Sequence, residues 1–496
     1  MHLRRLFLTA LITTLLLTAC ADRTQPSADS SATAALPSAT AAQAAPTDAP
    51  TPEPSPTPLP YQRPQYTLQL TLDYRFKKAE VVERILYPNL TGVALDKLVL
   101  AVEPNLWPNC FTLKSITLED GSTPSYTLDG QRLEIRPVGG LQPNTALTLN
   151  LQFSLVIPQI PSDLDPNKVR PQIFGFTARQ LNLVDWYPFV VPYDPAAGWV
   201  LHDPWYYGEH LVYPAADFDA RVKPADPAYA PVLATSAPSE PEGEWTRYRL
   251  TAGRSFAISA STEYKVASAD AGPVKVYSYY FAFNEAAGQA ALDAATKAVE
   301  IFSQRYGPYP HQKLSVVQGD FNDGMEFSGL FFLSFDFYNL YDGTPKGYLT
   351  IVAAHETSHQ WWFEAVANDQ ATQPWLDESL ATYSERVFFE SAYPDLVSWW
   401  WAYRVDYYQP EGYIDIPVAD SGGFRPYTNA VYFRGAHFLE DLRTRIGDQA
   451  FFGFLQDYYH QEDGRIATSA DFFRILRQHT STDFSDLLKT YFENNY

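Results

Sequence analysis

Alternating apolar and polar positions dominate the chain from Tyr61 to about Gly272. Apolar residues two positions apart are typical of half-buried antiparallel strands. The clearest runs are Leu68, Leu70 and Leu72, then Leu133 and Ile135, then Leu147, Leu149, Leu151, Phe153 and Leu155, then Phe256 and Ile258. Residues 61–272 are therefore predicted to form an antiparallel β-sandwich-like domain, with a Pro/Ala/Asp-rich excursion from Pro224 to Glu244.

The apolar spacing changes after Gly272. Leu292, Ala295, Val299 and Phe302 recur at the spacing of an amphipathic helix that ends at Gly307-Pro308. A strand-like segment begins at Leu314, and the pattern from Leu349 onward is mostly helical. Residues 273–496 are therefore predicted to form a second domain of α/β, mainly helical, structure.

The first twenty residues have the pattern of a secretory signal. Arg4 and Arg5 precede an apolar run, Leu6 to Leu17, that is shorter than the ~20 residues needed to span a bilayer. The small residues before Cys20 resemble the cleavage site of a bacterial lipoprotein signal, which implies cleavage there, a lipid on the Cys20 thiol and a membrane-anchored, extracytoplasmic location. The alternative is an ordinary cleaved signal in which Cys20 is incidental.

Residues 21–60 differ in composition from the rest of the chain. They contain 11 Ala and 9 Pro among 40 residues and almost no large apolar side chains. Such a segment cannot bury enough surface to offset the entropy of ordering it. Residues 21–60 are predicted to be a disordered tether.

Charge and composition exclude several functions. The formal net charge of −21 provides no basic field for nucleic acid, and two Cys cannot build a disulfide scaffold or a cysteine-based zinc site. Neither a Gly-rich phosphate loop nor a Gly-x-Ser-x-Gly motif occurs, so nucleotide chemistry and serine hydrolysis lack support.

The segment His355-Glu356-Thr357-Ser358-His359 indicates metal chemistry. On a helix, positions i and i+4 lie on one face, so both imidazoles can bind one ion. Zinc accepts such nitrogens, needs a third protein ligand, and leaves a position open for water in catalytic sites. Glu356 lies on the same surface, where its carboxylate can take a proton from that water. The arrangement predicts hydrolysis.

The third ligand is expected on a neighbouring helix. Eighteen residues separate His359 from Glu378, which lies in Trp375-Leu376-Asp377-Glu378-Ser379-Leu380-Ala381-Thr382-Tyr383. A helix beginning near Pro374 would bring Glu378 to the metal. This spacing and context resemble the gluzincin metallopeptidases of the aminopeptidase N and leukotriene hydrolase family. The resemblance implies a thermolysin-like catalytic domain with one zinc ion, held by His355, His359 and Glu378.

Two further motifs resemble that family. Gly324-Met325-Glu326 is similar to its exopeptidase motif, which implies that Glu326 binds the α-amino group of the substrate beside Gly324 and Met325. A carboxylate there selects an ammonium over an internal amide, and an edge strand beside the cleft is expected. Tyr432-Phe433-Arg434-Gly435-Ala436 is similar to the motif whose Tyr stabilises the oxyanion, with Tyr427 as a competitor.

A weaker similarity concerns Gln172, which stands seven residues before Arg179, as a substrate-binding Gln does in some relatives. The acid that those relatives place two residues later is Phe174 here. Gln172 is therefore a further candidate substrate-binding residue.

The function predicted is a zinc-dependent aminopeptidase that acts on peptides at the extracytoplasmic surface. Relatives usually carry a large helical domain after the catalytic one, and only 118 residues follow Glu378 here. We therefore expect a more open cleft that tolerates longer peptides. Two alternatives remain: a zinc endopeptidase, and a catalytically degenerate surface binding protein.

Overall fold

The computed structural model describes residues 61–161, 173–322 and 324–496. The predicted signal with Cys20, the tether and Gln172 lie outside these residues. None of the helices in the described part of the chain has the length and apolar character required to span a bilayer.

The N-terminal part is built almost entirely from strands, as predicted. They are β1 (Gln65–Asp73), β2 (Lys78–Pro88), β3 (Leu98–Ala101), β4 (Phe111–Leu118), β5 (Ser125–Asp129), β6 (Arg132–Arg136), β7 (Ala146–Val156), β8 (Gly175–Phe176), β9 (Leu181–Leu183), β10 (Phe189–Val190), β11 (Tyr193–Asp194), β12 (Gly198–Trp199), β13 (Ala216–Pro224), β14 (Val232–Thr235), β15 (Ser239–Glu242), β16 (Trp245–Gly253) and β17 (Ile258–Ser261). The largest sheet has the order β15-β16-β13-β1-β2-β7-β4, and two four-stranded sheets have the orders β10-β3-β6-β5 and β14-β17-β9-β8.

The predicted alternation decides which side chains face the core of these sheets. Leu68, Leu70 and Leu72 of β1 are buried, as are Leu149, Leu151, Phe153 and Leu155 of β7. The Pro224–Glu244 segment, expected as an excursion, carries strands β14 and β15. They pair with β17 and β16 through main-chain hydrogen bonds, which composition does not reveal.

The C-terminal part begins with a mixed sheet. Its strands are β18 (Tyr264–Ala271), β19 (Val274–Phe281), β20 (Lys313–Gln318), β21 (Met325–Phe327) and β22 (Leu330–Leu333). Their order is β18-β19-β20-β22-β21, which places β21 at one edge. Gly272 lies in the turn between β18 and β19, so the first strand of this sheet precedes the predicted domain boundary.

The other elements of this part are helices, the first of which lies between β19 and β20. They are α1 (Glu285–Arg305), α2 (Phe335–Asn339), α3 (Tyr348–Ser358), α4 (Trp375–Ala392), α5 (Val397–Trp400), α6 (Phe424–Tyr427), α7 (Gly435–Ile446), α8 (Asp448–Glu462), α9 (Ser469–His479) and α10 (Ser485–Tyr491), with π-helical turns at Trp401–Val405 and Thr428–Arg434. The predicted stripe of α1 is fully buried, and α1 packs on α3. A β-rich domain followed by a mainly helical domain confirms the predicted fold class.

The mixed sheet separates two hydrophobic cores. Phe331 and Leu333 of β22 pack into the core of the helical part, whereas Leu330 and Phe332 pack into the core of the β-rich part. Each face of the strand is therefore covered. This double burial holds β21, the neighbour of β22, in a fixed position at the sheet edge.

One carboxylate interrupts the apolar interior of the β-rich part. Glu83 of β2 is 0% exposed and lies beside Leu68 and Leu151 in the sheet. Neither of its carboxylate oxygens has a hydrogen-bond partner among the described residues. Burial raises the pKa of Glu83 well above its ordinary value, so this side chain carries a proton in the folded protein.

Replacing Glu83 by Met is expected to stabilise the protein by about 1–3 kcal/mol, because an unsatisfied buried polar group disappears. The carboxyl ionises near pH ~4.3 in the unfolded chain and only at higher pH in the folded one, so ionisation favours unfolding as pH rises through that window. Denaturant unfolding should show that the Met variant gains more free energy of unfolding over the wild type at pH 8 than at pH 5. The control Glu80→Gln, on the exposed face of β2, should show neither effect, and an equal gain at both pH values would contradict the account.

Candidate metal centre

The two predicted imidazole ligands lie on a helix that is buried on every side. All residues of α3 from Leu349 to Ser358 are buried. His355 lies on α3. His359 directly follows the last residue of α3 and keeps helical backbone angles. The N–H of His359 donates to the carbonyl of His355 over 3.3 Å. The one-turn spacing is thus kept, and both rings occupy the same face.

Glu378 reaches these rings from the first turn of α4, the helix that the sequence predicted. Its Oε2 lies 3.1 Å from Nε2 of His355 and 3.7 Å from Nε2 of His359. The ligand atoms of the three buried side chains all lie within 4.8 Å of one another. The main-chain N–H of Glu378 donates to the carbonyl of Pro374 over 3.1 Å and to the Asp377 carboxylate over 2.8 Å.

The remaining ring nitrogens fix the orientation of both imidazoles. Nδ1 of His359 donates to the carbonyl of Trp362 over 2.9 Å, and Nδ1 of His355 lies 2.9 Å from Oε1 of Glu385. A protonated Nδ1 leaves Nε2 free to bind a metal, and such outer partners strengthen metal ligands. Both rings are therefore oriented for binding through Nε2.

Glu385 is itself held in place. The indole N–H of Trp400 donates to its Oε2 over 2.9 Å, and Arg404 donates to its Oε1 over 2.8 Å. Burial alone would raise the pKa of Glu385, but Arg404 and His355 outweigh it and lower the pKa. The buried acid therefore stays ionised and accepts a hydrogen bond from His355 Nδ1.

In the metal-free centre, His355 and the acids beside it shift one another's pKa values. Burial alone would lower the pKa of His355, but hydrogen bonds to Glu378 and Glu385 raise it to about 10. Burial likewise acts to raise the pKa of Glu378, and the two imidazoles outweigh it and lower that pKa. A bound divalent cation takes the place of the His355 proton, because metal ligands must be deprotonated.

Two imidazoles and one carboxylate fit a zinc ion with an open coordination position. All three groups are buried, and hydrogen bonds to outer partners orient both imidazoles. These residues would hold it through His355 Nε2, His359 Nε2 and the Glu378 carboxylate. The donor set also disfavours calcium or magnesium, which prefer oxygen ligands throughout.

Glu356 and Glu326 lie beside this centre. Ligand atoms of Glu326, Glu356 and His359 form a second buried group within 4.8 Å. Glu326 lies on β21, at the sheet edge that the sequence predicted, and its Oε1 accepts a hydrogen bond from Gln370 over 3.1 Å. A Cβ at Gly324 would lie 3.0 Å from Oε1 of Glu356, so the glycine lets the start of β21 approach the carboxylate.

Tyr432 covers the other side of the centre. Its ring lies parallel to that of His355, at 5.9 Å between centroids, and Tyr432 lines the same cleft as Glu378. Gly435 allows the chain next to Tyr432 to lie close to α4, because a Cβ at Gly435 would lie 2.0 Å from Oγ of Ser379, the residue after Glu378. The competitor Tyr427 is fully buried, and the edge of its ring packs on Tyr432.

These residues line a cleft of about 550 Å³. Its walls include the three metal ligands, Glu356, Glu326, Met325, Gly324 and Tyr432. The structure thus brings together every predicted site residue within the described part of the chain, and Gln172 lies outside that part. Around one metal position, the cleft offers a carboxylate base, a hydroxyl donor and a second acid. Such groups can hydrolyse an amide bond that lies beside a cationic group.

Sequence reasoning missed three residues of this site: Glu385, Gln370 and Glu209. Glu385 follows Glu378 by seven residues, two helical turns, so helical periodicity could have placed both on one face of α4. Gln370 and Glu209 come from loops whose course no local pattern predicts.

The match to a protein family lies in the helical part. Residues 290–491 match the Peptidase family M1 domain. Aminopeptidase M1-B of Oryza sativa subsp. japonica is 26% identical over 234 residues, 44% of this chain and 26% of the relative. Aminopeptidase N of Oryctolagus cuniculus is 29% identical over 177 residues, 33% of this chain and 18% of the relative. The chain spans about a quarter of the length of the curated relatives it matches, or less.

Solved structures share the whole two-domain architecture. An M1 zinc metallopeptidase from Deinococcus radiodurans matches with a TM-score of 0.64 and 18% identity, over 88% of this chain and 95% of that one. A mutant of the Deinococcus enzyme bound to a Tyr-Ser-Ala substrate matches with a TM-score of 0.61 and 16% identity, over 88% and 96%. At these identities the likeness concerns the fold.

The family domain covers the segment that carries His355, Glu356, His359, Glu378 and Tyr432. The helical part of the chain therefore carries a segment, residues 290–491, that matches the Peptidase family M1 domain and is similar to aminopeptidases.

Proposed function

We propose that this protein is a zinc-dependent aminopeptidase that removes residues from the amino terminus of peptides. The observation that carries the proposal is the position of Glu326. Its buried carboxylate shares one cluster with Glu356 and the metal ligand His359. An acid so close to the hydrolytic centre binds an ammonium group and places the adjacent peptide bond beside Glu356.

The chemistry follows from the groups around the cleft. Zinc, when bound, acts as a Lewis acid toward the peptide carbonyl and makes a water molecule easier to deprotonate. Glu356 accepts the proton of the attacking water and delivers it to the departing amine. The Tyr432 hydroxyl donates a hydrogen bond to the carbonyl oxygen as negative charge develops there. Burial, followed by the charge of Glu378, raises the pKa of Tyr432 well above its ordinary value, so this hydroxyl keeps its proton.

A pair of substrates that differ only at the amino group tests the proposal. Alanine p-nitroanilide should be hydrolysed, and its N-acetyl form should react at least ~10³-fold more slowly, because the buried Glu326 then loses its cationic partner. Chelator should abolish the activity on the free amine. Hydrolysis of blocked peptides at rates comparable to those of free peptides would contradict the aminopeptidase and favour the endopeptidase.

We further propose that the enzyme is anchored outside the cytoplasm by a lipid on Cys20. The support is the sequence of residues 1–20 and the tether-like composition of residues 21–60. Cell fractionation should find the wild-type protein in the membrane fraction and the Cys20→Ser variant released from it. An unchanged distribution would contradict the anchor.

A further inference from the structure

Gln360 is a fully buried residue that directly follows the metal ligand His359. Its side-chain amide contacts the main chain at the turn of the hairpin formed by β21 and β22. Nε2 of Gln360 donates to the carbonyl of Phe327 over 3.0 Å, and Oε1 accepts the N–H of Gly329 over 2.9 Å. One side chain thus joins the C-terminal end of α3 to this turn.

The strand that this contact holds is the one that carries Glu326. β21 has only three residues and lies at the edge of the mixed sheet, so β22 is its one neighbour there. Glu326 lies one residue before Phe327, which accepts the hydrogen bond from Gln360. This bond therefore limits the movement of Glu326 relative to His359 and the rest of the metal site.

Other contacts hold the hairpin turn close to Gln360. Gly329 has a φ of +63°, and a Cβ there would lie 2.3 Å from the carbonyl oxygen of Ser236 in the β-rich part. The hydroxyl of Ser328 donates to the carboxylate of Glu364, four residues after Gln360. The turn is therefore held both by the β-rich part and by the segment that follows α3.

The distance between Glu326 and the metal ligands must fit one residue of the substrate. The α-nitrogen and the carbonyl carbon of that residue are joined through a single Cα, so they lie about 2.5 Å apart. Ligand atoms of Glu326, Glu356 and His359 lie within 4.8 Å of one another. In a site of this kind, a displacement of about 1 Å can cost about 10²-fold in rate. β21 therefore needs a rigid connection to α3.

We propose that Gln360 is a positioning residue that holds β21 against the end of α3 and so sets the distance between Glu326 and the zinc position. This inference rests on the aminopeptidase proposed above. Gln360 acts through the main chain of Phe327 and Gly329, and it does not line the cleft.

Replacing Gln360 by Met tests the proposal, because the side chain keeps its length and loses both hydrogen bonds. Phenylalanine hydroxamate carries the α-ammonium group, 3-phenylpropionyl hydroxamate lacks it, and both chelate zinc. In zinc-loaded Gln360→Met, calorimetry should find the affinity for the first ligand lowered about 10-fold or more and that for the second changed by less than about 2-fold. With alanine p-nitroanilide, kcat should fall about 10- to 100-fold, while the zinc affinity stays at the wild-type value.

Gln318→Met is the matched control. Gln318 is another fully buried glutamine, on β20, and its side chain also makes two hydrogen bonds, with the N–H of Phe281 and with Asn284. It does not line the cleft. Both variants should lose thermal stability, because each leaves buried polar groups without partners. Only Gln360→Met should change the two affinities relative to each other.

The comparison of the two ligands decides the outcome. Gln360→Met that keeps the wild-type preference for phenylalanine hydroxamate, or loses affinity for both ligands equally, would overturn the positioning role. The same change of preference in Gln318→Met would overturn it too, since the loss of any buried amide would then suffice. If Gln360→Met does not fold, Gln360→Asn, whose amide is shorter by one methylene group, should show the lowered preference. A wild-type protein without any preference would contradict the aminopeptidase, and this inference with it.

Discussion

Replacing Glu356 by Gln should lower kcat by about 10²–10⁴-fold, the range that general acid–base catalysis supplies. The amide keeps the size of the side chain but cannot accept the proton of the attacking water. Glu356 is not one of the three zinc ligands, so zinc content and thermal stability should stay at wild-type values. Steady-state kinetics on alanine p-nitroanilide, with metal analysis of the same sample, measure both.

The control for this variant is Glu300→Gln, a matched change on the exposed face of α1. It should leave kcat unchanged. If Glu356→Gln retained more than about a tenth of the wild-type turnover while fully zinc-loaded, another group would have to be the base, and the mechanism proposed here would be wrong.

Replacing Glu378 by Gln should weaken zinc binding by more than about 100-fold, since changes in outer partners alone cost 10- to 100-fold. The neutral amide is a poorer ligand and no longer compensates His355. Titration with a competing chelator measures the affinity. Zinc binding stabilises the folded state by mass action, so chelator should lower the Tm of the wild type and leave that of Glu378→Gln nearly unchanged.

An equal loss of Tm on chelation in both proteins would contradict the ligand role of Glu378. Glu300→Gln again serves as the control and should behave as the wild type. Because Glu378 lies in the first turn of α4, circular dichroism of the metal-free variant distinguishes loss of the ligand from loss of the helix.

The sequence predicts the framework of the fold well where one periodicity persists. The alternation in β1 and β7 and the stripe of α1 each place a continuous apolar face in a core, and hydrophobic burial dominates the choice of conformation there. The segment Pro224–Glu244 shows the limit. Its strands form through main-chain hydrogen bonds, from β15 to the next strand, β16, and from β14 to β17 further along the chain, and side-chain patterns do not encode these bonds.

The site divides in the same way. His355, Glu356 and His359 are local in sequence, so one turn of helix decides their geometry. Glu378 and Tyr432 were assigned to the site with the help of the family resemblance. Their distance from the two imidazoles depends on how α4 packs against α7 and the turn before it. The contact of Gly435 with Ser379 explains that packing only once the structure is known.

Glu209 shows what remains beyond reach from sequence. Its loop joins two strands of the β-rich part yet is fixed by Val418 and Ser421, about two hundred residues later. An acid in a loop is ordinarily solvated, and no local signal distinguishes this one. Only the tertiary fold brings it beside Glu326.

We expect one zinc ion between His355, His359 and Glu378. Crystals of the wild-type protein measured on both sides of the zinc absorption edge test it most directly. A single anomalous peak per chain is expected, ~2.0–2.2 Å from Nε2 of each imidazole and from the Glu378 carboxylate. A zinc peak bound by other side chains, or a zinc-loaded protein with no peak at this position, would contradict it.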